Sequence, residues 1–339
     1  GIDAYKSGTY TWHQWLDNPA RQNCLPTQEY VEMFPWSDGT PFNWDKDMAA
    51  GRLQGKNGRM FYKYEEIRGG VKKTASRDPR LYEQCIVNGQ MTSLDWSTGK
   101  SNGDVYELWV GGYHAGNNVA AYNEKNKVDV IEALTSRYAT GYDQNMYYMN
   151  QDYLRKYTQW VYLSLNEMYL MYAEALAQTG NLPKAIDQVD IIRKRVGLSG
   201  LAQCNPDKDL KNNKDNLINE ILRERACELG LSNNHYYDMI RYKRGDWMTK
   251  KLHGLITYRM QQNSKGEWVR TYTPWLGSDK NAGVKEPVRF EYEKFDIRNR
   301  ERVLWGKDPN SQEVAKWYLW PFPQTEINKG YGLVQNPGW

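Results

Sequence analysis

The segment TQWVYLSLNEMYLMYAEALAQTGNLPKAIDQVDIIRKRVGL, from Thr158 to Leu198, constrains this chain more than any other. Val161, Leu165, Met168, Tyr169, Tyr172 and Leu176 recur at the 3.6-residue period and predict one apolar helix face. Leu170 and Met171 lie on the other side, so this helix is expected to be covered on two faces. Gly180 follows the last apolar turn as a breaker, and Pro183 sits where a second helix starts. Ala185, Val189, Ile192 and Val196 line one stripe of that second helix, and Gly197 stops it. Two antiparallel helices joined by a tight Gly-Asn turn make a hairpin of tetratricopeptide length. One hairpin cannot bury its own faces, so partner helices are required.

A third helix is predicted over Asp215 to Leu229, with Ile218, Ile221, Leu222 and Leu229 as its apolar face. Arg225 projects from the middle of that face and needs a carboxylate, for which Glu228, Asp238 and Glu174 are the candidates. HYYDMIRYKRGDW, from His235, reads as a short fourth helix. Upstream, PTQEYVEMF reads as a short helix, FPWSDGTPFNWD as loop, and KVDVIEALTSRYATGYD as either helix or strand. Glycine, asparagine and proline recur through residues 1–157, which marks short elements and loops. After Lys250 the pattern reads as aromatic loop, and the closing WYLWPFPQTEINKGYGLVQNPGW as extended chain wrapped over the body. The reading is one domain over 1–339. Residues 1–157 form a loop-rich region, 158–250 a helical-repeat region and 251–339 a loop-rich C-terminal wrap.

Composition narrows the chemistry. The 45 basic and 41 acidic residues are interspersed and leave a net charge of +4, so there is no electrostatic footprint for nucleic acid. No run reaches the roughly 18 apolar residues of a membrane span, and no signal peptide is visible. Cys24, Cys85, Cys204 and Cys227 lie far apart with no CxxC, and His13, His114, His235 and His253 are scattered, so no metal site is expected. The skew that matters is 14 Trp and 26 Tyr against 6 Phe. Trp and Tyr add a polar handle to a flat apolar face, which suits wet binding surfaces such as those that stack sugar rings.

Six blocks carry a resemblance: PTQEYVEMF; RDPRLYEQCIVNG; TGYDQNMYYMNQDYLRKYT; YLSLNEMYLMYAEAL with IIRKRVGL; EILRERACELGLSNNHYYDMIRYKRGDW; and WYLWPFPQTEI with QNPGW. Together and in this order they resemble the SusD/RagB family of Bacteroidetes outer-membrane lipoproteins, over Pro26 to Trp339. The resemblance implies a mainly α, SusD-like fold of tetratricopeptide-type hairpins with long aromatic-rich loops and few short strands. It further implies a non-catalytic protein on the outer face of the outer membrane, with no cofactor. Such a protein captures an oligosaccharide, in some members a peptide, and hands it to a SusC-like TonB-dependent porin. Ser232, Asn233 and His235 stand where the family usually has a Glu-Gly pair and an Arg, which puts a local salt bridge in question. Members normally carry an N-terminal lipidated cysteine and several helical repeats before the proline–threonine block. The chain starts near that block, so the resemblance makes it the C-terminal portion of a longer protein, with a lipid anchor not present here.

The resemblance directs the ligand site to the loop after RDPRLY. That loop offers Asp95, Trp96, Trp109 and Tyr113, with Asn88, Asn102, Asn117 and Asn118 close in sequence. Trp36 and Trp44 are second candidates, and Trp268 and Trp275 third. The competing reading is a glycoside hydrolase, which needs two carboxylates roughly 5–10 Å apart in a cleft. Glu167 and Glu174, seven residues apart and about 10 Å along one helix, are the nearest such pair. A solvated or packing role explains them more simply, and no GxSxG, HExxH or phosphate-loop signature is present.

Overall fold

The computed structural model describes residues 25–91, 105–112, 140–145, 162–232, 234–272, 288–297, 308 and 310–339. Helices dominate and the strands are few and mostly short, as the resemblance implies. The first half holds short elements: α1 (Gln28–Met33), α2 (Trp44–Ala49), the hairpin β1 (Tyr62–Ile67) with β2 (Gly70–Ala75), α3 (Pro79–Gln84), and β3 (Cys85–Ile86) paired antiparallel with β4 (Asp143–Gln144). The PTQEYVEMF helix is therefore present. The stretch read as loop after it ends instead in α2, because the Asn43 side chain accepts from the Lys46 amide and caps a new first turn. Of KVDVIEALTSRYATGYD only the last four residues are described, and its Asp143 belongs to β4.

The helical hairpin is α4 (Leu165–Gln178) and α5 (Leu182–Arg195), joined at Gly180, whose φ of 87° lies in the left-handed region that glycine tolerates. After α6 (Leu201–Cys204) comes α7 (Lys214–Leu229), capped by the Asn213 side chain on the Asn216 amide. The predicted fourth helix is split into α8 (Asn234–Arg241) and α9 (Gly245–Met248), because Lys243 turns left-handed at φ 50° between them.

The helical core joins α4, α5 and α7. Leu170, Ala173 and Ala177 of α4 pack with Ala185, Val189 and Ile192 of α5 and with Leu217 and Ile221 of α7. This divides the face expected from periodicity, of which Tyr169 and Leu176 pack against the core. Leu165, Met168 and Tyr172 point outward, and Leu170 lies in the core. Alanine explains the choice: two alanines on the inner face let the backbones approach, whereas the bulkier stripe would hold them apart. Burying each large aliphatic side chain here contributes about 1.5–3 kcal/mol.

The region after Lys250 is not loop throughout. β5 (His253–Gln262) is flanked antiparallel by β6 (Trp268–Thr271) and β7 (Arg289–Asp296) in the order β6-β5-β7. In RFEYEKFD, Phe290 and Tyr292 point inward between Glu291 and Glu293, the period of two that a half-buried strand requires. This sheet closes a second core with Val31, Phe34, Leu81, Val87 and Tyr142. The C-terminal segment carries α10 (Gln312–Lys316) and α11 (Gln324–Ile327). It docks through Val314, Trp317 and Tyr318 beside Met248 and otherwise folds on itself. Trp339 stacks edge-on to Trp317 at 4.6 Å, and Asn336 donates to the Trp320 carbonyl.

Candidate functional site

RDPRLY, ERACELG and IIRKRVGL, distant in sequence, meet in one buried ion cluster. Asp78 caps α3 and pairs with Arg80 at 2.6 Å; Arg80 also reaches Glu224 at 2.9 Å and Glu228 at 3.2 Å. Glu224 further accepts from Arg193 and Arg223, and Glu228 from Arg195. Burial alone would raise the Glu224 carboxyl; Arg80, Arg223 and Arg193 outweigh it and hold it at about 2. Arg77 is also buried but is satisfied differently. It donates to the carbonyls of Val31 (2.9 Å) and Phe34 (2.7 Å) and lies over the Phe42 ring at 4.0 Å. The charged stretch before the aromatic loop is thus a structural knot that fixes the strand leading into it.

The described residues on either side of positions 92–104 are held as tightly. Met91 and Val105 form an antiparallel bridge, Gly89 donates to Tyr106, and Tyr106 donates back to Gln90 at 2.7 Å. Lys73 of β2 lies 4.2 Å from the Tyr62 ring centre and donates to the Gly89 carbonyl, and burial pushes its ammonium down to about 8.

A cavity of about 530 Å³ opens between α1, α7, α8 and α9. Tyr30, Met33, Met239 and Met248 supply apolar wall, and Trp247 stands beside them half-exposed. His235 meets the Trp247 ring edge-on at 5.4 Å, while Arg244 and Lys250 lie 4.9 Å and 5.3 Å from its centre. The carboxylates of the wall are occupied. Glu29 accepts from His253, Glu32 pairs with Lys294, and Glu220 pairs with Lys208 at 2.6 Å and Arg223 at 2.8 Å. Arg244 is taken by Asp246 and Asn219. Lys250 forms no ion pair among the described residues. The result is an aromatic and apolar hollow whose wall carboxylates are hydrogen-bonded or ion-paired, the kind of concavity that receives small molecules.

The sequence-predicted residues divide. Trp36 is buried, its indole N–H donating to Asp47 at 3.1 Å and its ring 5.4 Å from Phe42. Trp109 is also buried, 5.7 Å from Phe290, because its segment runs along β5 with Val110 donating to the Thr257 carbonyl. Both are corrections: these rings fill the core and offer no face to a ligand. Trp44 is half-exposed with Lys294 over its ring at 4.6 Å, and Trp268 is half-exposed under Arg289 at 3.8 Å. Asn88 is buried and accepts from the Leu108 amide. Asp95, Trp96 and Tyr113, with Asn102, Asn117, Asn118 and Trp275, lie outside the described residues. Trp247 escapes sequence reasoning because YKRGDW reads as helix; its signal is an indole between Arg244 and Lys250 beside a helix-breaking Gly245. The Arg225 expectation is met by Asp238 at 2.7 Å. Glu174 is claimed by Arg241 and Tyr242, and Glu167 accepts from Asn234 at 3.4 Å.

The chain is similar to solved structures at low identity. A SusD-like protein from Bacteroides fragilis matches with TM-score 0.53 and 21% identity, covering 99% of this chain and 50% of that one. Two solved structures of BT4246 match with TM-scores 0.55 and 0.53 at 18% and 17% identity, each covering 94% of this chain and 45% and 46% of theirs. The chain thus spans about half the length of the solved proteins it matches. No curated protein matches it. The model of the SusD family matches residues 3–339. With nearly every residue inside that match, and with the fold shared with SusD-like structures, the chain belongs to the SusD family.

Proposed function

We propose that this chain is the non-catalytic ligand-binding portion of a cell-surface nutrient-capture protein. It takes up an extracellular oligosaccharide and passes it to a SusC-like TonB-dependent porin on the outer face of the outer membrane. A lipid anchor holds the protein there. Family membership supports the class. The observation that carries the binding reading is the hollow beside Trp247, where an indole and apolar wall are open while the wall carboxylates are paired. Sugar rings stack on such faces, and paired carboxylates are poor general acids or bases. The glycosidase reading loses its nearest pair, since Glu174 is engaged by a guanidinium and a phenol. The α4–α5 hairpin, read as a tetratricopeptide-type unit of one SusD-like domain, is assigned to partner contact. Asp95, Trp96, Tyr113 and Trp44 are kept as ligand contacts, joined by Trp247.

Affinity electrophoresis against a polysaccharide panel identifies the ligand. In calorimetry with that ligand, Trp96→Ala and Trp247→Ala are each expected to weaken binding by about 1–3 kcal/mol with the fold intact. Unchanged affinity in both variants, or no retardation by any polysaccharide, defeats the reading. A peptide ligand is favoured by one feature, the Lys250 ammonium beside the Trp247 ring, which would receive a carboxylate. A glycan array run beside a peptide pool separates the two.

A further inference from the structure

The sheet β6-β5-β7 has an outward face that the core does not use. Phe290 and Tyr292 point inward, so the residues alternating with them, Arg289, Glu291 and Glu293, stand on the opposite side. The register brings Arg270 and Arg289 to either flank of Met260, and Trp268 beside Gln262 on the same face. Two arginine–aromatic stacks result. Arg270 lies 3.6 Å from the centre of the Tyr258 ring and spends its donors on Glu291 at 2.9 Å and on Glu293. Arg289 lies 3.8 Å from the centre of the Trp268 ring and, among the described residues, has neither an ion pair nor a side-chain hydrogen bond.

That difference has a chemical consequence. A separation of 3.8 Å is van der Waals contact, which lays the guanidinium along the indole. Its N–H groups then point sideways, in a fork that fits the two oxygens of a carboxylate. The neighbouring carboxylates do not compete for it. Arg270 holds Glu291 and Glu293, and Glu267 accepts from Asn263 within the turn before Trp268. Trp268 and Met260 are half-exposed and supply flat apolar surface beside the fork. An exposed arginine is ordinary. A guanidinium held in place with its donors uncommitted, beside an open indole, suits an anion carried on a ring. None of these residues lines the hollow at Trp247.

We propose that Arg289 and Trp268 form a second binding site, for an anionic sugar. The guanidinium receives the acid group, a uronate carboxylate or a sulfate ester, and the sugar ring rests against the indole and Met260. The saccharide carrier rests on the function proposed above; the anion chemistry rests on Arg289 itself.

Calorimetry on the 339-residue chain tests the site with acids set against their neutral counterparts. An oligogalacturonate is compared with its methyl ester, and a sulfated dextran oligomer with dextran. At least one acid is expected to bind about tenfold or more tighter than its counterpart. Arg289→Gln removes that preference. Arg289→Lys keeps part of it, because lysine is a point charge without the fork, and Trp247→Ala leaves it unchanged. A carboxylate preference identifies uronates, and a sulfate preference identifies sulfated sugars. Both Arg289 variants keep the parent Tm within about 2 °C, as surface changes do. Equal affinity for acids and neutral counterparts overturns the proposal, as does a preference that survives Arg289→Gln. An acid preference lost in Trp247→Ala or Lys250→Met instead moves the anion to the hollow, which overturns this site and leaves the capture function standing. No binding of any saccharide, neutral or acidic, defeats both.

Discussion

Glu224 shows how single residues hold this molecule together. It has no exposure to solvent and accepts from three guanidiniums, Arg80, Arg193 and Arg223, drawn from α3, α5 and its own helix. Replacing it by Gln leaves buried cations short of a counter-charge, and such a loss costs about 3 kcal/mol or more. Urea unfolding of Glu224→Gln is expected to show that loss; a change below about 1 kcal/mol would mean the cluster is dispensable. The same residue sets an acid limit. Its carboxyl sits at about 2 in the fold against an ordinary 4.5, so the unfolded chain takes up a proton that the fold refuses. Its contribution is complete above about pH 4.5 and is lost as pH falls toward 2, a slope that Glu224→Gln removes. Lys73 runs the other way. Burial lowers its ammonium from 10.5 to about 8, so the folded chain holds fewer protons between those values and gains stability as pH rises through them. Urea midpoints of the parent chain should therefore rise from pH 7.5 to about 9.5 relative to those of Lys73→Met, and a constant difference would remove Lys73 from the account.

At the scale of elements, the inward face of α4 is set by alanine. Ala173→Leu drives a branched side chain into a closed α4–α5–α7 interface and is expected to cost about 1–3 kcal/mol, whereas Tyr172→Ala in the same chain stays within about 0.5 kcal/mol. Urea titration of both decides, and the opposite order would restore the face that periodicity suggested. The failure of periodicity there has a physical cause. A helix with apolar residues on opposed sides gives two solutions of similar quality, and the choice depends on how closely the neighbour approaches. The helices themselves are legible in the sequence, because Gly180, Pro183 and Gly197 punctuate them and 3.6-residue stripes fill them. The β5–β7 sheet is legible in part: β6 follows β5 through the short Asn263–Glu267 turn, and Phe290 and Tyr292 alternate with Glu291 and Glu293, but no local pattern announces that β7 pairs with the far side of β5. The buried ion pairs are half legible. The place of Arg225 on its helix demands a carboxylate, while the joining of Arg80 to Glu224 across 144 residues is visible only in three dimensions. Of the candidate site, aromatic richness is legible and aromatic orientation is not: Trp36 and Trp109 look in sequence like Trp44, and packing against Phe42 and Phe290 buries them.

For the molecule as a whole, electrostatics separates the ligand classes. The net charge of +4 arises from nearly balanced, interspersed signs, so no long-range field steers a charged ligand. Around the hollow, Glu32, Glu220 and Arg244 each have an oppositely charged neighbour, Glu29 is hydrogen-bonded by the His253 amide, and Lys250, beside the indole, forms no ion pair among the described residues. A neutral oligosaccharide stacked on Trp247 exchanges hydration for contact without moving a charge, so its affinity should change less than about twofold between about 50 and 500 mM salt. A ligand held by its carboxylate on Lys250 behaves differently. Ions screen an exposed pair over a Debye length that shrinks from about 10 Å at 0.1 M to about 3 Å at 1 M, and its affinity falls steadily along the same series. Titrating the parent chain and Lys250→Met with the ligand from the electrophoresis panel completes the comparison. Salt-independent binding that survives Lys250→Met matches the glycan reading; salt-sensitive binding abolished by that change transfers the site to peptides or acidic sugars.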